Sequence, residues 1–338
     1  MKKFLTFHIF FRSATKSSAI FFLIAMSFFL GSKSAKALTI SPARLELTGD
    51  PGSVISSELL LMNDQKESKR FYSSAENFEA QGEGGVPNFV AGTEGLSTWV
   101  NTSGEITLAP GEQRKVPFTI TIPASAEPGG HFAAIFWSTT PSQGQGGQLA
   151  VGAKIGTLVL LRVSGDVKEE AGLVEFTSLN NQRWFDSVPV TFVFRLRNGG
   201  GDRLKPAGTI TITSMLGQKV AELSANPAEN NVLPASIRRF EVVWPQEFAG
   251  NLNRPAGYWQ TVKHQWNHFA FGLYTAKLDL KWGVESVEQM MATQRVLLVP
   301  WQLLTLCVLI IALILIGGRV GIRRYNAWII ARARDSRH

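Results

Sequence analysis

The chain has 338 residues, 45% hydrophobic and 18% charged, with a formal net charge of +8 at pH 7, enough for two domains of ordinary size. Its single cysteine, Cys307, excludes an internal disulfide and, for everything ahead of it, a cysteine nucleophile or a cysteine-built zinc site. Between Leu38 and Arg295 there are 22 Lys and Arg against 25 Asp and Glu, a net −3; the basicity therefore sits at the two ends, and no clustered cationic surface is left for nucleic acid.

In chain order, Lys2, Lys3, Arg12 and Lys16 precede an apolar run over residues 19–30, and small residues close on Ala35-Lys36-Ala37. That pattern predicts a signal peptide over 1–37 with cleavage before Leu38. The alternative is an uncleaved anchor, against which the shortness of the apolar run counts.

From Leu38 to Gly283 the chain is a succession of short runs rich in β-branched and aromatic residues, separated by Gly, Pro, Asn and Asp. SELLLMND (57–64), KVPFTITIP (115–123), IGTLVLLRVSG (155–165), PVTFVFRLRN (189–198) and GTITITSM (208–215) are examples. Such runs read as strands of β-sandwiches. No amphipathic helix is expected ahead of the membrane.

GGHFAAIFW (129–137) raises the question whether His131 opens a reactive site. Alternation sends His131, Ala133, Ile135 and Trp137 to one face and Phe132, Ala134 and Phe136 to the other. Both faces are apolar, which fits a central strand covered on each side, with His131 a polar residue at the strand entrance.

PGEQRKVPF (110–118) is echoed by PASIRRFEV (234–242), so that Val116, Phe118 and Ile120 correspond to Phe240, Val242 and Trp244. GHFAAIFW (130–137) is likewise echoed by GLYTAKLDLKW (272–282). The echoes predict an all-β fold of two tandem Ig-like β-sandwiches, 38–166 and 167–290. Trp99, Trp137, Trp184, Trp244 and Trp282 are expected in the cores.

The echoing strands are joined by six residues in the first half but by the long loop 246–271 in the second, where Tyr258, Trp259 and Trp266 stand out as a candidate partner contact. Their flat faces suit glycan, protein or the outer membrane leaflet; the alternative is that they cap the open end of the sandwich. His264 and His268 have a helical zinc-site spacing but no neighbouring acid, and the loop is read as an ordinary polar one. GEGG (82–85), GQGG (144–147) and NGGGD (198–202) precede no helix and supply no P-loop lysine, so they read as turns. No catalytic, cofactor-binding or metal-binding residue is expected.

Residues 296–318 contain no charge and are long enough to cross a bilayer as a helix. Arg319, Arg323, Arg324, Arg332, Arg334 and Arg337 follow against one acid, Asp335, which predicts a cytoplasmic tail over 319–338 and an exterior location for the rest. Trp301 lies near the outer edge of the span.

The turn and strand over 108–123 followed by EPGGHFAAIFW, together with RNGGGDRLKPAGTITITSMLGQKV (197–220) and VLPASIRRFEVVW, resemble the WxL-interacting cell-surface proteins of bacteria. The resemblance covers nearly the whole chain and rests on turns and strands. It implies a signal peptide, an Ig-like domain associated with peptidoglycan binding, a second Ig-like domain associated with partner binding, one membrane helix and a basic tail. It brings no catalytic residue. The expectation is a single-pass plasma-membrane protein presenting Ig-like domains to a cell-wall polymer or to surface proteins. An exported chaperone-like or envelope-assembly factor and a metal-dependent exported hydrolase are the alternatives.

Overall fold

The computed structural model describes residues 38–90, 92–141, 154–250, 257–283 and 288–335. The expected signal peptide and the GQGG stretch lie outside the described residues. In the N-terminal half come β1 (Leu38–Ser41), β2 (Arg44–Gly49), β3 (Val54–Asn63), β4 (Lys69–Gln81), β5 (Val86–Val90), a one-turn helix α1 (Leu96–Trp99), β6 (Val100–Thr102), β7 (Glu105–Leu108), β8 (Gln113–Thr121), β9 (Gly129–Ser138) and β10 (Lys154–Val163). The C-terminal half continues with β11 (Ala171–Ser178), β12 (Trp184–Phe185), β13 (Val190–Asn198), β14 (Ala207–Thr213), β15 (Lys219–Ser224), β16 (Ser236–Trp244), helix α2 (Tyr258–Asn267), β17 (Gly272–Trp282) and β18 (Glu288–Leu298). Helix α3 (Trp301–Asp335) follows.

Each half is a pair of sheets around its own core. The first half packs β1-β3-β8-β6 against β2-β10-β9-β4-β5, with β7 also on β4; the second packs β11-β13-β16 against β12-β18-β17-β14-β15. Apart from β6 and β7, which have no counterpart in the second half, the two orders match, and both place one parallel pairing at the same point, β2 on β10 and β12 on β18. The sequence echo therefore reflects a topological repeat: β8 corresponds to β16, and β9 to β17. All six residues matched by period two, Val116, Phe118, Ile120, Phe240, Val242 and Trp244, are buried, because alternation delivers every second side chain to the same face.

The first core is built on Leu61, Phe71, Ile120, Ile135, Trp137 and Leu161. Phe192, Phe194, Phe240, Leu278, Val296 and Leu298 are central to the second, where Phe194 and Phe240 stack with ring centres 4.6 Å apart. Residues 164–170 join the two.

Four expectations need correction. Tyr258–Asn267 forms a helix inside the region expected to be loop. The second sandwich does not end at 290, because β18 runs on to Leu298, and Val296 and Leu298 are fully buried in its core. The predicted span 296–318 therefore begins five residues early: its first residues alternate in and out as a strand, and the helix starts at Trp301 after Pro300, a residue suited to a helix's first turn. Trp184 is 47% exposed rather than in the core, whereas Trp137, Trp244 and Trp282 are buried. Within α3, residues Trp301–Ile329 are long and apolar enough to cross a membrane.

Truncating Ile135 or Phe194 to Ala should cost about 2–5 kcal/mol, the range for fully buried large side chains. If the cores are separate cooperative units, urea unfolding of the detergent-solubilised chain will show Ile135→Ala moving one transition and Phe194→Ala the other. A single transition moved equally by both would refute that independence.

Candidate functional site

The sheet β2-β10-β9-β4-β5 is apolar on both faces. One face supplies the first core. The other carries a second cluster, Phe78, Ala134, Phe136 and Leu160, with Phe132 and Leu158 half-buried beside it and Leu233 reaching in from the second sandwich. Phe89 on β5 meets Phe136 edge-on at 4.8 Å and Phe78 at 6.1 Å. The ammonium of Lys154 lies 4.2 Å from the centre of the Phe136 ring and pairs with Glu76 at 2.8 Å. Gly156 makes room for this arrangement, since a Cβ there would fall 2.5 Å from Cδ1 of Phe136.

This outer face looks into the junction between the sandwiches. The turn of the β4–β5 hairpin reaches across it, and Glu83 at its tip takes a bidentate grip on Arg195 of β13 while its carbonyl accepts the Arg239 N–H at 2.9 Å. The Arg238 guanidinium lies over Gly85 so closely that a Cβ would sit 2.3 Å from Cζ, and it donates to the Asn231 carbonyl at 2.7 Å. Beneath the turn is a cavity of about 70 Å³ bordered by Arg44, Phe78, Leu158, Leu160, Leu233 and Arg238.

Two further clasps hold the halves together. Glu46 on β2 accepts from the Asn231 amide at 2.9 Å and pairs with Lys205 at 2.9 Å. At the far side the Gly130 N–H donates to the Gly201 carbonyl at 2.9 Å, and Arg162 pairs with the buried Asp202 at 2.9 Å. Here the glycines of PGGHF and NGGGD acquire their reason. A Cβ on Gly129 would lie 2.6 Å from the Gly201 carbonyl oxygen, one on Gly130 would lie 2.6 Å from Asp202, and one on Gly200 would lie 2.5 Å from the Lys168 carbonyl oxygen. They permit backbone contact between the sandwiches, a use of glycine unrelated to phosphate binding.

Charge follows the same geometry. The hydrogen bond from Arg195 holds the Glu83 carboxyl below its ordinary value, and Glu83 in turn raises the Arg195 guanidinium. Burial pushes Glu46 up, but the Asn231 amide and the Lys205 ammonium together outweigh it and leave the group lowered. Burial, with Arg44 nearby, lowers Arg238. Arg44 and Arg238 thus face the cavity as two cations over apolar walls.

The same sheet has an open half-edge. β2 pairs with β10 only from Leu158 onward, and the Leu158 N–H donates toward Ala43. By alternation the backbone N–H and C=O of Lys154 and Gly156 point the same way, and among the described residues no strand pairs with them there. Sequence reading placed both faces of β9 under cover; it missed that the outer cover is partial and comes from the second sandwich, because Leu233 and Arg238 are some hundred positions away.

The sequence-predicted candidates lie elsewhere. His131 donates from Nε2 to the Glu127 carbonyl at 2.9 Å and packs on Trp99 at 4.7 Å. His264 on α2 and His268 just past its end have ring centres 4.9 Å apart, but His264 donates to the Val188 carbonyl at 2.8 Å and His268 faces Glu247 at 3.3 Å. Among the described residues no three His, Cys, Asp or Glu side chains form a metal-binding group. Tyr258, Trp259 and Trp266 sit on α2 at the opposite end of the second sandwich from the junction. Tyr258 bonds the Gln302 carbonyl at 3.1 Å and Thr305 at 3.2 Å, whereas Trp259 and Trp266 are 69% and 71% exposed.

Because Glu83 is lowered in the folded chain, the coupling it provides is complete above the ordinary carboxylate value of 4.5 and is lost as pH falls through its depressed folded-state value. Spin labels at Val54→Cys and Val174→Cys in a Cys307→Ala chain should give a narrow distance distribution at pH 7 that broadens below pH 4.5. Glu83→Gln should broaden it at pH 7 already. A Glu83→Gln distribution as narrow as the parent's would show that this clasp does not fix the junction.

No family model matches the chain, and no curated protein matches it. Among solved structures it overlaps the class 5 fimbriae chaperone CfaA with a TM-score of 0.37 and 11% identity, over 76% of this chain and 98% of that one. It overlaps the E. coli chaperone DraB with a TM-score of 0.34 and 12% identity, over 76% and 96%. A Porphyromonas gingivalis W83 protein of unknown function overlaps with a TM-score of 0.29 and 12% identity, over 77% and 99%.

Proposed function

We propose that this chain is a single-pass membrane-anchored binding protein that displays two tandem Ig-like domains and grips an extended segment of a partner protein, without catalysing a reaction. The observation that carries the reading is the open half-edge of β10 beside an apolar outer face. An incoming strand would find backbone groups at Lys154 and Gly156 that no described strand pairs with on that side, and its alternate side chains would meet the Phe136–Phe89 surface. Main-chain pairing then gives affinity, and the apolar face gives selectivity for alternating apolar residues.

The three clasps at the junction support a rigid presentation of that edge. The arginines that follow the apolar part of α3 support a cytoplasmic C-terminus and an exterior site. A surface-protein partner is favoured over a cell-wall polymer because an edge strand recognises peptide backbone. The same edge would serve an exported chaperone-like or envelope-assembly factor, which differs in passing its bound segment on. The peptidoglycan association implied by the WxL-interacting resemblance belongs to the first domain and is separable by experiment.

A photoactivatable residue replacing Lys154 in the membrane-embedded chain should capture a protein through a segment of alternating apolar residues, and one replacing Lys115, on the other sheet, should not. Lys154→Pro removes an outward N–H and should weaken that complex by about 1 kcal/mol or more, roughly fivefold. Equal capture at both positions, or retention by purified cell-wall polymer with no protein adduct, would reject strand addition. Release of the captured segment to a second protein would establish the assembly-factor form.

A further inference from the structure

Helix α2 turns two large aromatic rings away from the protein. Soluble surface helices turn apolar residues inward. Here the inward face carries one apolar residue, the buried Val262, beside Gln265, His264 and the Tyr258 hydroxyl, which are hydrogen-bonded to the body of the protein. Outward, Trp259 and Trp266 are seven residues apart and so nearly aligned, with exposed Lys263 between them on the same stripe.

The depth of this stripe is set by the span. Gln265 accepts from the Leu303 N–H at 2.9 Å, and Tyr258 bonds Gln302 and Thr305, so α2 lies against the first turn of α3. Continuity with the apolar helix therefore tells what covers the stripe. Independent segments expose apolar groups at the same end. Trp184, Leu297 and Leu273 are register neighbours across β12, β18 and β17, and all three face outward. At the tip of the β14–β15 hairpin Met215 packs over Gly272 while remaining 60% exposed, and Phe269 is 61% exposed. Exposed Arg183 and Arg295 flank the row Trp184–Leu297.

We propose that this end of the second sandwich is a membrane-docking surface, in which Trp259 and Trp266 of α2 seat in the headgroup–acyl boundary of the bilayer that α3 crosses, with Lys263 reaching the lipid phosphates. The inference rests on reading α3 as a span. Tryptophan is suited to that boundary because its ring is apolar and its N–H needs a polar partner. The consequence is orientation: a sandwich seated on lipid holds the junction and the β10 edge at a fixed height and heading above the membrane.

The test uses the full chain with Cys307→Ala in nanodiscs of phosphatidylcholine and phosphatidylglycerol. Nitroxides are placed singly at Lys263→Cys, at Leu313→Cys in the span and at Val54→Cys in the first sandwich, and relaxation by lipid-soluble oxygen is compared with relaxation by a water-soluble nickel chelate. Position 313 should favour oxygen, position 54 nickel, and position 263 should lie between them. Trp259→Ser with Trp266→Ser should shift position 263 several-fold toward nickel without changing position 313. The docking is overturned, and the span kept, if 313 favours oxygen while 263 matches 54 or ignores the double substitution. Shielding of 263 from both reagents means a protein covers the stripe and overturns the proposal too. If 313 itself favours nickel, the span fails and the docking with it.

Discussion

A sheet that is apolar on both faces must be covered on both. In this chain the β2-β10-β9-β4-β5 sheet forces the issue: one face is satisfied by the sheet opposite, but Phe78, Phe136 and Leu160 on the other need a third layer. The second sandwich supplies part of that layer through Leu233 and the Arg238 stem, and the β4–β5 hairpin, laid across the junction by Glu83, supplies more. The relation of the two halves, the small cavity under the hairpin and the partly bare strip beside Lys154 all follow from incomplete cover of one surface.

Much of the architecture was legible in the sequence. The echo between 110–118 and 234–242 anticipated a repeat that extends even to the parallel β2–β10 and β12–β18 pairings, because period-two burial leaves a direct imprint on residue type. The alternation in GGHFAAIFW likewise announced a two-faced strand. What the sequence did not disclose was why its glycines are there. Gly129 and Gly130 are shaped by Gly201 and Asp202, distant in the chain, and no local pattern reports a close approach between separate sandwiches.

Helix α2 escaped notice for a related reason. A search for an apolar stripe facing a core finds only Val262 and Gln265 buried on this helix while its tryptophans point outward, so the segment was read as a loop with loose aromatics. The end of β18 was misread because VLLVP serves equally as the start of an apolar helix or as a strand whose alternate residues are buried. Composition cannot separate the two; the pairing of Leu298 with Gly272 does. Trp184 looked like core for the same reason that any strand tryptophan does, yet it lies on the outer side of a two-residue edge strand.

Only Val299 and Pro300 separate the last residue of β18 from the first of α3. Any tension applied through α3 therefore enters the protein along the axis of β18, which is flanked by β17 over the register from Gly272↔Leu298 to Trp282↔Glu288 and by β12 on its other side. Force in that direction loads the rungs of the ladder side by side, in shear, instead of peeling them one after another. A pull between α3 and the first sandwich would thus meet a joint that yields only when many bonds give way at once.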